Sequence, residues 1–258
     1  MKKPTDIGFN RTGISLSPID SKLVIEGAVA GTPNPVTMPN ELTEFRATFS
    51  RESEPVGTMP PPASLKGIAT AMVDKLKGET PTVLLDLLGE RLAFERTGTR
   101  LYEALLIKFD AASAQHTLRG GPTVEELERF RDDELRHFAL LKRALTELGA
   151  DPTTVTPSAD IMAVASKGLV QVLTDPRTTL TQALHALLTA ELVDNDGWLV
   201  LADLADRLGH DNLAADFRTA LVEEEEHLAR VRAWLAAALY GQAGIEQVGT
   251  LPTEPTPA

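Results

Sequence analysis

The pattern Glu-x-x-His occurs twice in this chain, as Glu134–His137 within DELRHFALL and as Glu224–His227 within EEEEHLARV. On a helix, side chains three residues apart lie on one face, so a carboxylate and an imidazole at that spacing can reach the same cation. One such pair among 37 acidic residues reads as solvated surface. Two pairs make a demand that the rest of the sequence must meet. A shared metal site built from them needs one inward carboxylate from each of two further helices.

Both carboxylates are present. Glu95 lies in LAFERTGTRLYEAL, flanked by Leu88, Leu92, Leu105 and Leu106 at helical spacing, and Glu191 lies in HALLTAELVDNDGWLVLADL behind an apolar stretch. Seven residues after each comes a large ring, Tyr102 and Trp198, two helical turns on and therefore on the same face. The interval from Glu95 to Glu134 is 39 residues and that from Glu191 to Glu224 is 33, the excess falling in the turn around RGGP. Each half thus carries one design: Glu, an aromatic at +7, then Glu-x-x-His on the returning helix.

Start and stop signals supply the four helices this design needs. Thr80 followed by Pro81 marks a start, and the helix is expected to run to about residue 114. Thr123 and Glu126 have capping-box spacing and open a second helix over 124–148, stopped by Gly149. Residues 150–177 read as a long connection with a short amphipathic helix. A third helix follows over 178–208, ending at Gly209, and Asp211 is the expected cap of a fourth that runs to about 240. Short turns make antiparallel neighbours within each pair, while the long connection carries the second pair to the far end.

The N-terminal part is different. Nine of the 17 prolines lie in residues 1–62, a density that argues against long helices. An extended arm is expected there, with a short strand or turn in SKLVIEGAVAG. A disordered tail and a docked arm both remain open, the clusters Leu23–Ile25 and Phe45/Phe49 favouring docking. Ser64 is the expected cap of a short amphipathic helix, SLKGIATAMVDKLKG, with Leu65, Ile68, Met72 and Leu76 on one face. The expected division is an arm over 1–79, a helical domain over 80–241 and a mobile, Pro-rich tail over 242–258.

Composition excludes several chemistries. The formal charge of −12 and pI near 4.9 argue against nucleic acid and anionic membranes as partners. With no cysteine, disulfides, thiolate chemistry and iron–sulfur centres are excluded. There is no apolar run long enough to span a membrane and no apolar segment behind the initial lysines, so a soluble, cytoplasmic protein is expected.

Residues 80–240 resemble the ferritin-like superfamily of di-iron carboxylate proteins, which includes bacterioferritin and rubrerythrin. The resemblance implies an all-α fold, an antiparallel four-helix bundle with a long crossover between its second and third helices. It implies two iron ions, with manganese or a mixed pair as options. Glu95 and Glu191 would be terminal ligands, one per ion, Glu134 and Glu224 bridging carboxylates, and His137 and His227 the single imidazole on each ion. Oxygen-rich sites of this kind suit iron or manganese better than a closed zinc site. Asp133-Glu134-Leu135-Arg136-His137 also resembles the D-E-x-R-H pattern of soluble di-iron oxygenases and the ribonucleotide reductase small subunit. By that likeness Asp133 would orient His227 and Glu223 would orient His137, ordinary surface charge being the other reading. The fourth helix reads EEEEH and matches less closely. Arg136 is expected to pair with Asp133 at the rim.

Asp194 reads either as an extra carboxylate ligand, as in rubrerythrins, or as a helix-surface residue. Tyr102 reads as a partner of a ligand carboxylate, a one-electron donor, or a core aromatic. His185 is assigned to packing or surface, and His116 and His210 to exposed turns. The expected activity is a di-iron oxidoreductase of ferroxidase or peroxidase type, reacting with O2 or hydrogen peroxide. A separate electron donor is expected, because a Cys-free chain has no rubredoxin domain, and a homodimer is the expected assembly. The alternatives are an oxidase or oxygenase acting on an organic substrate, a manganese catalase-like activity, and a bundle that binds metal without catalysis.

Overall fold

The computed structural model describes Glu26 and residues 40–60, 81–113 and 119–245. Among them the protein is all-helical, without a strand. The elements are α1 (Asn40–Glu52), α2 (Pro81–Ser113), α3 (Val124–Glu147), α4 (Pro157–Thr174), α5 (Leu180–Arg207) and α6 (Asp211–Gln242). The chain divides into two compact units, Met1–Pro55 and Val56–Ala258.

In the first unit, α1 departs from the expected extended arm. Prolines bound the segment at Pro39 and Pro55, but the residues between them contain none and suffice for three turns. Phe45 and Phe49, one turn apart, bring their ring centroids to 4.6 Å. Ser53 ends the helix by returning its N–H (2.9 Å) and its hydroxyl (2.6 Å) to the Phe49 carbonyl. Several expectations fall outside the described residues: the strand or turn over 21–31 apart from Glu26, which is helical; the helix at Ser64; the Thr80 cap; the boundary at 79/80; His116; and the tail beyond 245.

In the second unit the helix ends follow local chemistry. Thr123 Oγ1 accepts from the Glu126 N–H, and Glu126 Oε2 accepts from the Thr123 N–H, closing the capping box that opens α3. Thr179 and Gln182 do the same for α5. Gly149 and Gly209 adopt φ of 83° and 75°, the left-handed conformation that glycine enters without strain. This lets the next residue return its N–H to the helix, Ala150 to Leu145 O and His210 to Ala205 O. Asp211 is not the cap of α6. His210 holds that position without a side-chain bond, and Asp211 is the first helical residue, where its charge complements the positive end of the helix.

Two apolar layers show how the long helices run. One joins Leu84 and Leu88 from the start of α2 to Leu141 and Leu145 from the end of α3, with Trp198 and Leu201 of α5 and Leu213 and Phe217 of α6. The other joins Leu101 and Leu105 to Leu127 and Phe130, with Leu184, Leu187, Val231 and Trp234. The start of α2 therefore meets the end of α3, the end of α5 meets the start of α6, and α3 and α5 share a direction. α4 lies along α2. Thr156 Oγ1 donates to the Asp86 carbonyl (3.1 Å) near the start of α2, and Lys108 Nζ donates to Asp175 O and Thr178 O (2.9 Å each) near its end. Each leucine buried in these layers contributes about 1.5–3 kcal/mol. Exposed α3–α6 ion pairs such as Arg143–Asp216 fix register more than stability. Among the described residues no helix is long and apolar enough to cross a membrane.

Candidate metal centre

Between the two apolar layers lies a polar one. Glu95 falls between Leu92 and Leu101 on α2, and Glu134 and His137 between Phe130 and Leu141 on α3. Glu191 and Asp194 fall between Ala190 and Trp198 on α5, and Glu224 and His227 between Ala220 and Val231 on α6. All seven polar side chains belong to residues no more than 2% exposed.

Their donor atoms converge. Those of Glu134, Glu191, Glu224 and His227 lie within 4.8 Å of one another, as do those of Glu95, His137 and Glu224. Glu95, Glu134, Asp194 and Glu224 form a third such group. Glu224 belongs to all three, so it links the groups at the centre. This buried carboxylate–histidine cluster could hold metal ions.

What the donors lack is as informative as what they touch. Both oxygens of Glu95 and of Glu224, one oxygen each of Glu134 and Glu191, and Nδ1 of both histidines are buried without a hydrogen-bond partner. His137 Nδ1 lies 2.7 Å from Glu224 Oε1, and His227 Nδ1 lies 3.3 Å from Glu224 Oε2, but neither contact has hydrogen-bond direction. Lone pairs aimed at shared space suit a cation. An uncompensated buried charge costs about 3–5 kcal/mol, and the net stability of a domain is about 5–15 kcal/mol. Several bare carboxylates would consume that margin, so protons or metal ions must neutralise them.

The far nitrogen of each histidine is held from outside. His227 Nε2 is 3.1 Å from Asp133 Oδ2, and His137 Nε2 is 2.7 Å from Glu223 Oε2. Each imidazole thus turns Nδ1 to the cluster and Nε2 to a carboxylate of the facing helix. Arg136 joins the two supports, donating to Asp133 Oδ1 and, at 3.0 Å, to Glu223 Oε1. Tyr102 donates its hydroxyl to Glu191 Oε1 at 2.6 Å.

With only protons to balance them, the groups are pushed far from their ordinary ionisation. Burial opposes a charge on His137, but Glu224 and Glu95 overcome it and raise its pKa to about 11. His227 is raised further, against burial, by Asp133, Glu134 and Glu224. Burial and the neighbouring Glu224 charge push Glu191 up to about 8 and raise Glu134 as well. Glu224 resists burial and sits at about 2, because both imidazoles face it. Burial raises the Tyr102 hydroxyl, and the Glu191 charge adds to it.

Sequence patterns alone did not single out three residues of this layer. Arg91, one turn before Glu95, is 2% exposed and pairs with Asp194 at 3.1 Å. A Cβ at Gly98 would fall 2.0 Å from Glu134 Oε2, and one at Gly197 would fall 1.9 Å from Arg91 Nη1. A signal existed in each case: an arginine among the leucines of an inward face, and glycines inside long helices, where glycine costs about 1 kcal/mol relative to alanine. His185 is exposed on α5 and His210 is half-buried at the α6 cap, neither of them within the cluster. No family model, curated protein or solved structure matches this chain.

Proposed function

We propose that α2, α3, α5 and α6 form a ferritin-like antiparallel four-helix bundle, α4 serving as its long crossover, and that the buried layer holds two iron ions, with manganese or a mixed pair as the other options. The observation that carries this reading is the set of orphaned, converging donor atoms on Glu95, Glu134, His137, Glu191, Glu224 and His227. Glu95 with His137 and Glu191 with His227 would supply the two ends, and Glu134 and Glu224 the middle. Four carboxylates balance two divalent cations in charge, and their oxygen-rich set with one nitrogen per ion favours iron or manganese.

When bound, such a pair of ions supplies two electrons to O2 or hydrogen peroxide. The chain prepares for that reaction in three ways. The apolar layers above and below keep bulk water out. Asp133 and Glu223 hold the imidazoles so that Nδ1 faces the cluster and would be free to bind an ion there. Tyr102 restrains Glu191 and stands near His227, ring centroids 6.1 Å apart. We infer an oxidoreductase of ferroxidase or peroxidase type that draws electrons from a separate donor. The Asp133–His227 hydrogen bond, the arrangement implied by D-E-x-R-H, favours as a second reading an oxidase acting on an organic substrate.

Anaerobic loading with Fe(II), followed by O2 or peroxide, tests the proposal. Expected is rapid growth of near-ultraviolet absorption, lost in Glu134→Ala and Glu224→Ala. Oxidation that proceeds equally well in both variants would sink it. Turnover with Fe(II) and peroxide alone supports the first reading over the second.

A further inference from the structure

Arg91 is the part of the polar layer that the six-ligand set leaves unused. Its Nη1 lies 3.1 Å from Asp194 Oδ1 and 3.3 Å from the carbonyl oxygens of both Val193 and Asp194, so one guanidinium ties α2 to α5 beside the cluster. Phe94 supports it from below, with Cζ 4.3 Å from the ring centroid. Gly197 makes the notch: any larger residue would place Cβ 1.9 Å from Nη1. An interior glycine weakens a helix relative to alanine, so α5 accepts a local cost to admit this side chain. Nε and Nη2 of Arg91 are buried without a partner. Asp194 is shared, because its Oδ1 faces Arg91 and its carboxylate offers an oxygen within 4.8 Å of donors on Glu95, Glu134 and Glu224.

We propose that Arg91 is a positioning residue that holds Asp194 at the edge of the metal pair and sets the charge the pair meets; this rests on the two-metal reading. Glu95, Glu134, Glu191, Glu224 and Asp194 carry −5, and Arg91 returns +1, leaving −4 for two divalent ions to neutralise. A guanidinium does not lose its proton inside a protein, so its +1 is permanent. Without Arg91 the ions meet −5, and Asp194 is free to turn toward the Glu95–His137 end. Without the Asp194 charge they meet −3.

Calorimetric titration of the full chain with Mn(II) separates the proposal from the reading beneath it. The wild-type stoichiometry tests the two-metal site alone; a chain that takes up no ions removes that site and this proposal with it. Given two ions, Arg91→Gln is expected to tighten the weaker one by about tenfold or more, and Asp194→Asn to weaken it by about as much. The double variant, restored to −4, is expected to return to within about threefold of wild type. Gly197→Ala, which drives the guanidinium from its notch, is expected to follow Arg91→Gln. A purely structural role predicts instead that Arg91→Gln and the double variant both lose Mn(II). A folded Arg91→Gln with unchanged affinity overturns the proposal. If Arg91→Gln does not fold, the remaining pair decides: a double variant that binds no better than Asp194→Asn overturns it too.

Discussion

Glu95 on α2 and Glu191 on α5 occupy equivalent places in the two halves of the helical unit, yet their surroundings differ. Glu191 accepts a hydrogen bond from Tyr102, whereas both oxygens of Glu95 are without a partner. The ring that corresponds to Tyr102 is Trp198, whose Nε1 is buried and unpaired. Three residues beyond each glutamate, α2 has Gly98 and α5 has Asp194. Gly98 lets Glu134 come close, while Asp194 adds a carboxylate that Arg91 must balance. The two halves repeat the donor atoms, but their neighbours differ: Glu191 is tethered by Tyr102, whereas Glu95 has no hydrogen-bond partner.

The largest effect is expected at Gly98. Gly98→Ala would push Glu134 from the centre, and metal content is expected to fall at least about tenfold while helical circular dichroism persists. Gly168→Ala on α4, where nothing stands within 4 Å of the new Cβ, is the control and should change nothing. The supports of the two histidines come next. Asp133→Asn and Glu223→Gln are each expected to weaken metal affinity by about 10–100-fold. Asp133 should have the larger effect, because its side chain is 6% exposed and that of Glu223 is 37% exposed. Equal losses would mean that the two ends do not differ in this respect.

Protons offer a third lever. In chelator-treated protein, His137 has a folded pKa of about 11 against 6.5 in a free side chain, and Glu191 about 8 against 4.5. Both bind protons more tightly when folded, so their stability contributions are complete below 6.5 and 4.5 and fade as pH rises toward 11 and 8. Glu224, held at about 2, works in the opposite sense but only below its ordinary 4.5. The melting temperature of the stripped protein is therefore expected to fall from mildly acid to mildly alkaline pH. Metal-induced stabilisation should grow over the same range, because ions displace those protons. A melting temperature that rises with pH after stripping would contradict this account of the cluster. The smallest effect on metal affinity is expected at the rings, where the change is mainly in stability. Tyr102→Phe loses one hydrogen bond to a carboxylate, about 1.5–3 kcal/mol, and Trp198→Phe loses contacts but no hydrogen bond. Tyr102→Phe should also make the two ends more nearly equal in metal affinity.

What could be read without coordinates was what depends on spacing along one helix. Glu-x-x-His at 134 and 224, Glu with a ring at +7, and the Thr123 cap are all local, and the structure brings the six side chains into one layer. Asp133 lies beside His227 and Glu223 beside His137, each contact reaching from one helix to the facing one. Properties that depend on the distance between helices were not readable. Nothing in the local pattern says that Gly98 meets Glu134 or that Gly197 meets Arg91, because those contacts exist only once α2, α3 and α5 are packed. The cap of α6 at His210 and the helix α1 differ from expectation for another reason. A charge inside the first turn and a cap look alike in one dimension, and proline density averaged over 1–62 hid the proline-free run from Asn40 to Glu54.

Anomalous scattering from crystals soaked in Mn(II) would show whether the polar layer binds a pair of ions. Two peaks are expected in the layer, one beside Glu95 and His137 and the other beside Glu191 and His227, with Glu134 and Glu224 between them. Both should vanish in the Glu134→Ala/Glu224→Ala double variant. A layer without anomalous density, or peaks that survive in that variant, would contradict the two-metal reading.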